Sequence, residues 1–351
     1  MKKIILLVVV FLCFLSATAT AQTTITLSAA GDVILGGDPK IKSALRQSSL
    51  SFFTQLIERY GTTYPFSNVS GYFRNDDVSI VNLECTLTNG GKSKPKSHSF
   101  RGSPSYASML ADAGIEVCNL ANNHTRDFGT AGLRSTAAAL NRANVRWSDF
   151  SNNGTYTVKK DGMSVKIGFA GFQTPTSLSK MQKRVKALAK RCDVVVTSFH
   201  WCDTQEWTQR NYPSDRRMAR AAIAAGADLV LGHHRHVPAG IETYRGKYIV
   251  YDLGNFVVGI KHLADSAGRP FTDSMIFQWT FTVNENKQIG AQSIRVIPCT
   301  TSTTGEKYPV TDGFGTAGAP INNFRPAVLS GTQGEALLAR IRALSTVEIP
   351  G

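Results

Sequence analysis

Several things are scarce or missing in this sequence. After residue 15 no apolar run approaches the roughly 20 residues that a membrane helix needs. There is no internal repeat, no CxxC pair, no low-complexity tract and no nucleic-acid-binding motif. Cysteine is sparse and scattered: Cys13, Cys85, Cys118, Cys192, Cys202 and Cys299 lack the dense spacing of a small domain stapled by disulfides. Acidic residues are few, 25 against 39 basic ones, giving a formal net charge of +14. These gaps exclude a membrane-spanning bundle, a solenoid, a disulfide scaffold and a collagen-like or disordered chain. What is present is 351 residues with 42% hydrophobic content, enough to bury a large core in one main domain with appendages.

The first residues follow a processing logic. Lys2 and Lys3 precede an apolar run over 4–15, and small residues lead to Ala19-Thr20-Ala21. The pattern predicts a secretory leader over 1–21, cleaved after Ala21, with a retained N-terminal anchor as the alternative. Cys13 lies inside the apolar run, so no lipid-modified cysteine is expected at the cleavage point. The protein is therefore expected in the periplasm or at the cell surface. Removing the leader leaves 37 basic residues against 25 acidic ones, a net charge of +12. It also leaves five cysteines, an odd number, so at least one thiol stays unpaired unless it bonds another chain. Lys92, Lys94 and Lys96 share one loop; Lys180, Lys183, Arg184, Lys186, Lys190 and Arg191 crowd one segment. Such clusters suit a polyanion, an anionic surface polymer or a lipid headgroup, or else form a solvated face that aids solubility. No nucleic-acid partner is expected.

Along the chain, short apolar runs end repeatedly in a polar residue. Residues 24–30 stop at Gly31-Asp32 and 78–83 stop at Glu84. Residues 115–120 run into Ala121-Asn122-Asn123-His124, 194–199 into His200, and 229–231 into Gly232-His233. Between them, 106–113, 131–143, 179–191 and 214–225 read as helices. Alternation of strand and helix predicts an α/β fold with much of its sheet parallel. Ligands of open α/β sheets sit at the carboxyl ends of the strands, where these polar residues fall. Farther on, 247–252, 275–283 and 293–298 read as strands of a second, more antiparallel sheet. Residues 300–323 read as an exposed loop and 333–344 as a terminal helix.

Carboxylates and imidazoles are the oxygen and nitrogen ligands that suit zinc, manganese or iron, singly or as a pair of ions. Asp32, Glu84, Asn123, His200, His234 and His236 form such a set, with His233 beside them. His234 and His236 are two apart, so on an extended segment their side chains share a face. Any one strand histidine is more often a satisfied structural residue than a ligand. Convergence at five strand ends favours the ligand reading.

The runs Gly31-Asp32-Val33-Ile34-Leu35-Gly36, Asn82-Leu83-Glu84, Phe100-Arg101-Gly102 and Ala121-Asn122-Asn123-His124-Thr125-Arg126-Asp127-Phe128-Gly129 follow one another in order. They continue with His200-Trp201, Gly232-His233-His234-Arg235-His236-Val237 and Asp252-Leu253-Gly254-Asn255-Phe256. Together, over about residues 25–298, the chain resembles the CapA family of poly-γ-glutamate capsule proteins. That family looks like a branch of the calcineurin-like metallophosphoesterases. The resemblance implies a two-sheet α/β sandwich with metals at the strand ends, followed by a loop and short helix over 299–351. It implies Asp32 on a first metal, Glu84 as the bridging carboxylate, Asn123 on a second metal and His124 as the acid for the leaving group. His200, His234 and His236 would complete the shell. The implied partners are an anionic polymer such as poly-γ-glutamate and membrane-bound capsule synthesis proteins.

The sequence departs from the phosphoesterase pattern Asp-x-His on the first strand, because Asp32 is followed by Val33 and Ile34. Glu84, with Asn82 before it, stands where a bridging Asp is expected. The sequence departs from the capsule family as well: Arg235 stands where proline is usual, and Cys202 follows Trp201 where glycine is common. Arg235 is read as a contact to an anionic substrate or as an exposed cation. Cys202 is read as a reactive thiol or a buried structural one. Asn122 and Asp127 either orient His124 or make a turn and a helix cap. Asn255 either aims its amide at the site or turns the chain, and Arg101 either binds an anion or closes a surface ion pair. His98 and His262 lie outside these motifs. Two functions follow: a metal-dependent hydrolase acting on a phosphate ester or on an amide of an anionic polymer, or a module that holds such a polymer during capsule assembly.

Overall fold

In the computed structural model of this protein, the described residues are 21–40, 48–209, 212–258, 272–305, 307, 317–318 and 321–350. The leader expected over 1–21 lies outside them but for Ala21, as do His262 and part of the loop expected over 300–323.

The alternation of apolar runs and helical stretches folds as expected, with added short strands. The chain begins with β1 (Gln22–Val33), α1 (Ser49–Tyr60), α2 (Ser70–Arg74), β2 (Val78–Leu83), β3 (Thr86–Leu87) and β4 (Arg101–Gly102). It continues through α3 (Ala107–Ala113), β5 (Val117–Asn119), α4 (Gly129–Arg142) and β6 (Arg146–Ser148). A hairpin follows, β7 (Asn153–Lys160) and β8 (Met163–Gln173), then α5 (Leu178–Ala189), β9 (Val194–His200), α6 (Pro213–Ala224) and β10 (Leu229–His233). The last elements are β11 (Ile241–Tyr244), β12 (Lys247–Val250), β13 (Asn255–Val257), β14 (Asp273–Asn284), β15 (Ile289–Thr300), β16 (Ala327–Val328) and α7 (Gly331–Leu344). The helix ends follow local chemistry. Ser48 and Ser177 accept hydrogen bonds from the backbone N–H three residues on, at the starts of α1 and α5, and α3 stops at the left-handed Gly114.

Two sheets face each other. The first runs β16-β15-β14-β1-β2-β5-β6, with β13 also paired to β1, and the second runs β11-β12-β10-β9-β8-β7. Strands β1, β2, β5 and β6 are parallel, as are β8, β9, β10 and β12. Alternating side chains divide the apolar residues among three cores. Ile25, Leu27, Ile80, Val117, Phe169, Val196, Leu231 and Trp279 pack between the sheets. Ala30, Val81 and Cys118 point outward to α1, α3 and α4, while Val195 and Val230 point outward to α5 and α6. The result is a helix–sheet–sheet–helix sandwich. From the C-terminal helix α7, Leu337, Leu338 and Ile341 are inserted into the core between the sheets. No helix among the described residues is long and apolar enough to cross a membrane.

One expectation is corrected here. Residues 275–283 and 293–298 do not start a second sheet, because β14 pairs antiparallel with β1 and β15 with β14, extending the first sheet. Residues 247–250 instead join the second sheet, parallel to β10. The alternation in 275–283 marks a strand with a buried face, but not which partner covers its edge. Partnership is decided by long-range packing.

Parity decides what reaches the gap between the sheets. Asn82, Asn119, His200 and His233 continue the inward-facing series of Ile80, Val117, Val196 and Leu231 in steps of two. Asp32 does not, since Ala29 faces inward and the regular series would bring Gly31 there. A bulge between Ala30 and Asp32 in the β1–β2 register inserts Gly31 and shifts the phase by one, so Asp32 turns inward opposite Asn82. Gly31 is needed at that bulge: a Cβ there would stand 1.7 Å from the Gly254 carbonyl oxygen. Gly31→Ala is therefore expected to lower the urea midpoint by the equivalent of at least about 1–3 kcal/mol, with an unchanged slope. An unchanged midpoint would show that the bulge tolerates a side chain.

Candidate metal centre

Five strand ends deliver polar side chains to one buried point. Asp32, Asn82, Asn119, His200 and Asp252 are fully buried, and Glu84 and His233 nearly so. Asn82 is the hub of the network. Its Oδ1 accepts from Asn119 Nδ2 at 2.8 Å and Asn122 Nδ2 at 3.2 Å. That fixes Nδ2 as the donor to Asp32 Oδ1 at 2.7 Å, with His200 Nδ1 at 3.3 Å. His200 Nδ1 then accepts, and Nε2 carries the ring proton toward Asn123 Oδ1 at 2.9 Å and Glu84 Oε1 at 3.3 Å. An amide at position 82 also avoids a third carboxylate beside Asp32 and Glu84.

The histidine-rich turn closes the other side. His233 Nδ1 lies 3.5 Å from Asp32 Oδ1, and His236 Nδ1 lies 3.6 Å from Asp32 Oδ2 and 3.0 Å from Asn255 Oδ1. His234 and His236 have left-handed backbone, with φ of 97° and 64°. The extended segment expected to put both rings on one face is thus a tight turn. Strand pairing ends at His233, opposite His200. The chain then reverses so that the Arg235 N–H reaches Asp252 Oδ2 at 2.9 Å. The two rings still end up with centroids 5.8 Å apart. Left-handed backbone at non-glycine residues costs on the order of 1–3 kcal/mol and concentrates at functional sites.

His124 stands at the rim. Its Nδ1 is 2.7 Å from Asp127 Oδ2, whose other oxygen pairs with Lys96 Nζ at 2.6 Å. A carboxylate only accepts, so the Nδ1 proton points to Asp127, and Nε2 faces Glu84 Oε1 at 3.9 Å. Asn122 Oδ1 accepts from the His124 N–H at 3.1 Å. Asp127 does not cap α4, where Phe128 is the N-cap residue without a side-chain bond.

The remaining expected residues fall as follows. Arg235 is completely buried, and its guanidinium pairs with Asp215 and lies over the Tyr212 ring. It braces the turn from behind rather than meeting a dissolved anion, because a buried guanidinium needs a carboxylate partner. Arg101 lies over the Phe128 ring at 5.4 Å, and its backbone pairs with Gly37. Arg184, counted with the basic segment, is tied to Asn153 Oδ1 and to the carbonyls of Gly171, Asp149 and Asn152. His98 stacks on Phe100, away from the cluster's own bonds. All five described cysteines are free thiols.

Electrostatics set the two central carboxyls apart. Burial works to raise Asp32, but the His233 and His236 rings beside its oxygens and the field of His200 outweigh it, leaving the group well below the usual range. Burial, then the charges of Asp32 and Glu206, holds Glu84 well above it. Burial, then His234, pushes His200 far down. Burial, then His236, lowers His234 to about 4. His236 is raised, because Asp32 overcomes the effect of burial. Asp252 is pushed up to about 6 by burial and by Asp32. Two buried carboxyls shifted in opposite directions, beside His200 and His234 whose neutral forms are favoured, are the donor chemistry that a divalent cation would satisfy. Glu84 Oε2 and His234 Nδ1 are buried without a hydrogen-bond partner among the described residues. Ligand atoms of Asp32, Glu84 and His236 lie within 4.8 Å of one another, as do those of Glu206, His234 and His236 and those of His200, Cys202 and His234.

Three participants escape a reading of the sequence alone. Asn119 could have been found from its inward parity at the end of β5. Lys96 reads only as loop charge, and Glu206 sits in an irregular loop with no period to flag it.

Comparison with known proteins finds relatives of the chain. Residues 26–259 match the family described as bacterial capsule synthesis protein PGA_cap. The capsule biosynthesis protein CapA of Bacillus anthracis is 27% identical over 317 residues, 83% of this chain and 70% of that protein. The PGA biosynthesis protein CapA of Bacillus subtilis (strain 168) is 30% identical over 229 residues, 59% of this chain and 60% of that protein. Among solved structures, a 5'-nucleotidase precursor from Thermus thermophilus superposes with a TM-score of 0.43 at 13% identity, covering 78% of this chain and 54% of that one.

The brace behind the turn is open to measurement. Arg235→Met leaves Asp215 buried without its cation and is expected to cost about 3–5 kcal/mol in chemical denaturation. Adding Asp215→Asn is expected to restore most of that loss. Equal stability of Arg235→Met and the unaltered protein would contradict the brace.

Proposed function

The chain belongs to the family of bacterial capsule synthesis proteins, and from that premise we propose that it is an exported hydrolase acting on an anionic polymer of the poly-γ-glutamate type during capsule synthesis or export, through a divalent-metal centre at its strand ends. The observation that carries this reading is the buried convergence of Asp32, Glu84 and His236, whose ligand atoms lie within 4.8 Å of one another. Asp32, Glu84 and His236 would hold one ion, and Glu84, Asn123 and His234 a second, with the His200 Nε2–H holding Asn123 and Glu84 in place. Such an ion supplies Lewis acidity to the bond being cleaved.

The chain's own residues account for the rest of the chemistry. Asn82 holds Asp32 and His200 in fixed orientation, and Asn255 does the same for His236. His124 presents Nε2 to the cluster, while Asp127 fixes the proton on Nδ1 and Lys96 neutralises Asp127. That leaves Nε2 without a proton in the neutral ring, so His124 would first accept a proton there and, as the doubly protonated imidazolium, pass it to the leaving group. Lys2, Lys3 and the apolar run over 4–15 support export by a cleaved leader.

A second reading, a polymer-holding module, is favoured by one observation. Lys180, Lys183, Lys186, Lys190 and Arg191 are exposed along and just after α5. A row of exposed cations of this kind attracts a polyanion through long-range field rather than fitted contacts.

Purified mature protein, stripped with a chelator and reloaded with manganese, zinc or iron, is expected to cleave either phosphodiesters or poly-γ-glutamate. His124→Gln is expected to lower kcat by roughly 10²–10⁴-fold without changing the metal load. No metal uptake and no turnover on any of these substrates would overturn the hydrolase. Poly-γ-glutamate binding that weakens with added salt and is lost in Lys180→Gln/Lys183→Gln/Lys186→Gln, without turnover, would leave the holding module.

A further inference from the structure

We propose that Glu206 is a metal ligand, and that cation binding latches the loop over residues 201–209 onto the strand ends. This rests on the metal reading above and adds to it a donor that comes from a loop rather than from a strand. The first strand is short of one. Ile34, two residues after Asp32, points into the apolar core beneath α1 and α3 and offers no ligand atom. Asp32, Glu84 and His236 alone make three donors, and an ion coordinated by oxygen and nitrogen takes four to six.

Glu206 brings a carboxylate to the histidine turn instead, its ligand atom within 4.8 Å of those of His234 and His236. Its Oε1 lies 3.8 Å from His234 Nε2 and 3.9 Å from His236 Nε2. These separations are too long for hydrogen bonds. They match the spacing of two donors that share one ion, each about 2.1 Å from it and therefore roughly 3–4 Å apart. His234 is nineteen-twentieths buried, and its Nδ1 lacks a hydrogen-bond partner among the described residues. Glu206 by contrast is 45% exposed in its side chain, so the pair joins a fixed wall to a surface loop.

The loop is already docked at a second point. The Trp207 N–H donates to the Arg235 carbonyl at 2.9 Å, and its ring lies 4.5 Å from the His236 ring at 33°. Trp207 holds left-handed backbone, with φ of 60°, a conformation that an aromatic residue adopts only when its surroundings enforce it. Gln209 Nε2 anchors the far end to the Pro238 carbonyl at 2.7 Å. Indole, histidine turn and carboxylate thus form one unit, in which an ion bridging Glu206 to His234 and His236 would clamp the loop to the wall. Trp207 reports on the clamp, being in contact with a candidate ligand ring.

The test is a titration of chelator-stripped, full mature protein with Mn²⁺, followed by calorimetry and by tryptophan fluorescence, with Trp207→Phe identifying the signal among the four tryptophans. Unaltered protein is expected to bind Mn²⁺ with a saturable change in Trp207 emission. Glu206→Gln is expected to weaken binding by at least about 10–100-fold and to remove that change, and Glu206→Asp to retain part of both. Circular dichroism checks that each variant is folded. Unaltered protein that binds no Mn²⁺ would overturn the metal reading itself. Mn²⁺ binding that Glu206→Gln leaves undiminished, or a Trp207 signal that ignores the ion, would overturn the latch alone.

Discussion

A carboxylate with no access to water has to be compensated by its neighbours, and Asp32 is such a group, with 0% of its surface exposed. Transfer of a lone ionised carboxyl into a protein interior costs several kcal/mol even after relaxation. Around Asp32 the compensation is complete on the protein side. The Asn82 amide and the rings of His233 and His236 surround its oxygens, and the His234 N–H approaches within 3.4 Å. These groups come from β2 in one sheet and from the end of β10 in the other. The two sheets must therefore meet at their carboxyl ends for the charge to be tolerated at all. Glu84, close by, has no equivalent set of donors, and burial, with the charge of Asp32, holds it well above the usual carboxylate range.

That demand explains features that would otherwise look like local irregularities. The bulge at Gly31 shifts the phase of β1 by one residue and turns Asp32 from the helix side to the gap between the sheets. The turn at His234 and His236 accepts left-handed backbone so that both imidazoles face the carboxylates, while Arg235 points the opposite way to pair with Asp215. Each device sacrifices local comfort to place a donor, the usual pattern when a fold carries a working site. The apolar cores on either side of each sheet supply the rigidity that holds these distortions in place.

Much of this was legible in the amino-acid order. Five apolar runs ending in Asp32, Glu84, Asn122-Asn123-His124, His200 and His233 announced parallel strands with a shared carboxyl edge, and step-two parity brings Asn82, His200 and His233 into the gap. Other features were not legible, for physical reasons. A bulge adds one residue without changing composition, so the inward turn of Asp32 had no periodic signal. The partner of β14 is chosen by burial of Phe277 and Trp279 between the sheets, a contact with residues far away in sequence. Arg235 read as a contact to an anionic substrate or an exposed cation because nothing adjacent in the chain reveals Asp215, twenty residues earlier. Glu206 and Lys96 sit in loops, where spacing carries no information about direction.

The capsule family membership and the buried donor set meet at one claim: that Asp32, Glu84 and His236 hold a divalent cation where the first strand offers Ile34 in place of an imidazole. Ile34 offers no ligand atom, so the proposed site would draw its further donors from the neighbouring turn and loop. The most direct measurement is anomalous X-ray diffraction at the manganese edge from crystals of the mature protein grown with Mn²⁺. The account predicts a peak between Asp32, Glu84 and His236, with oxygen and nitrogen donors at about 2.0–2.2 Å. Ordered side chains at these three residues with no anomalous density between them, or a peak confined to the outer surface, would contradict it.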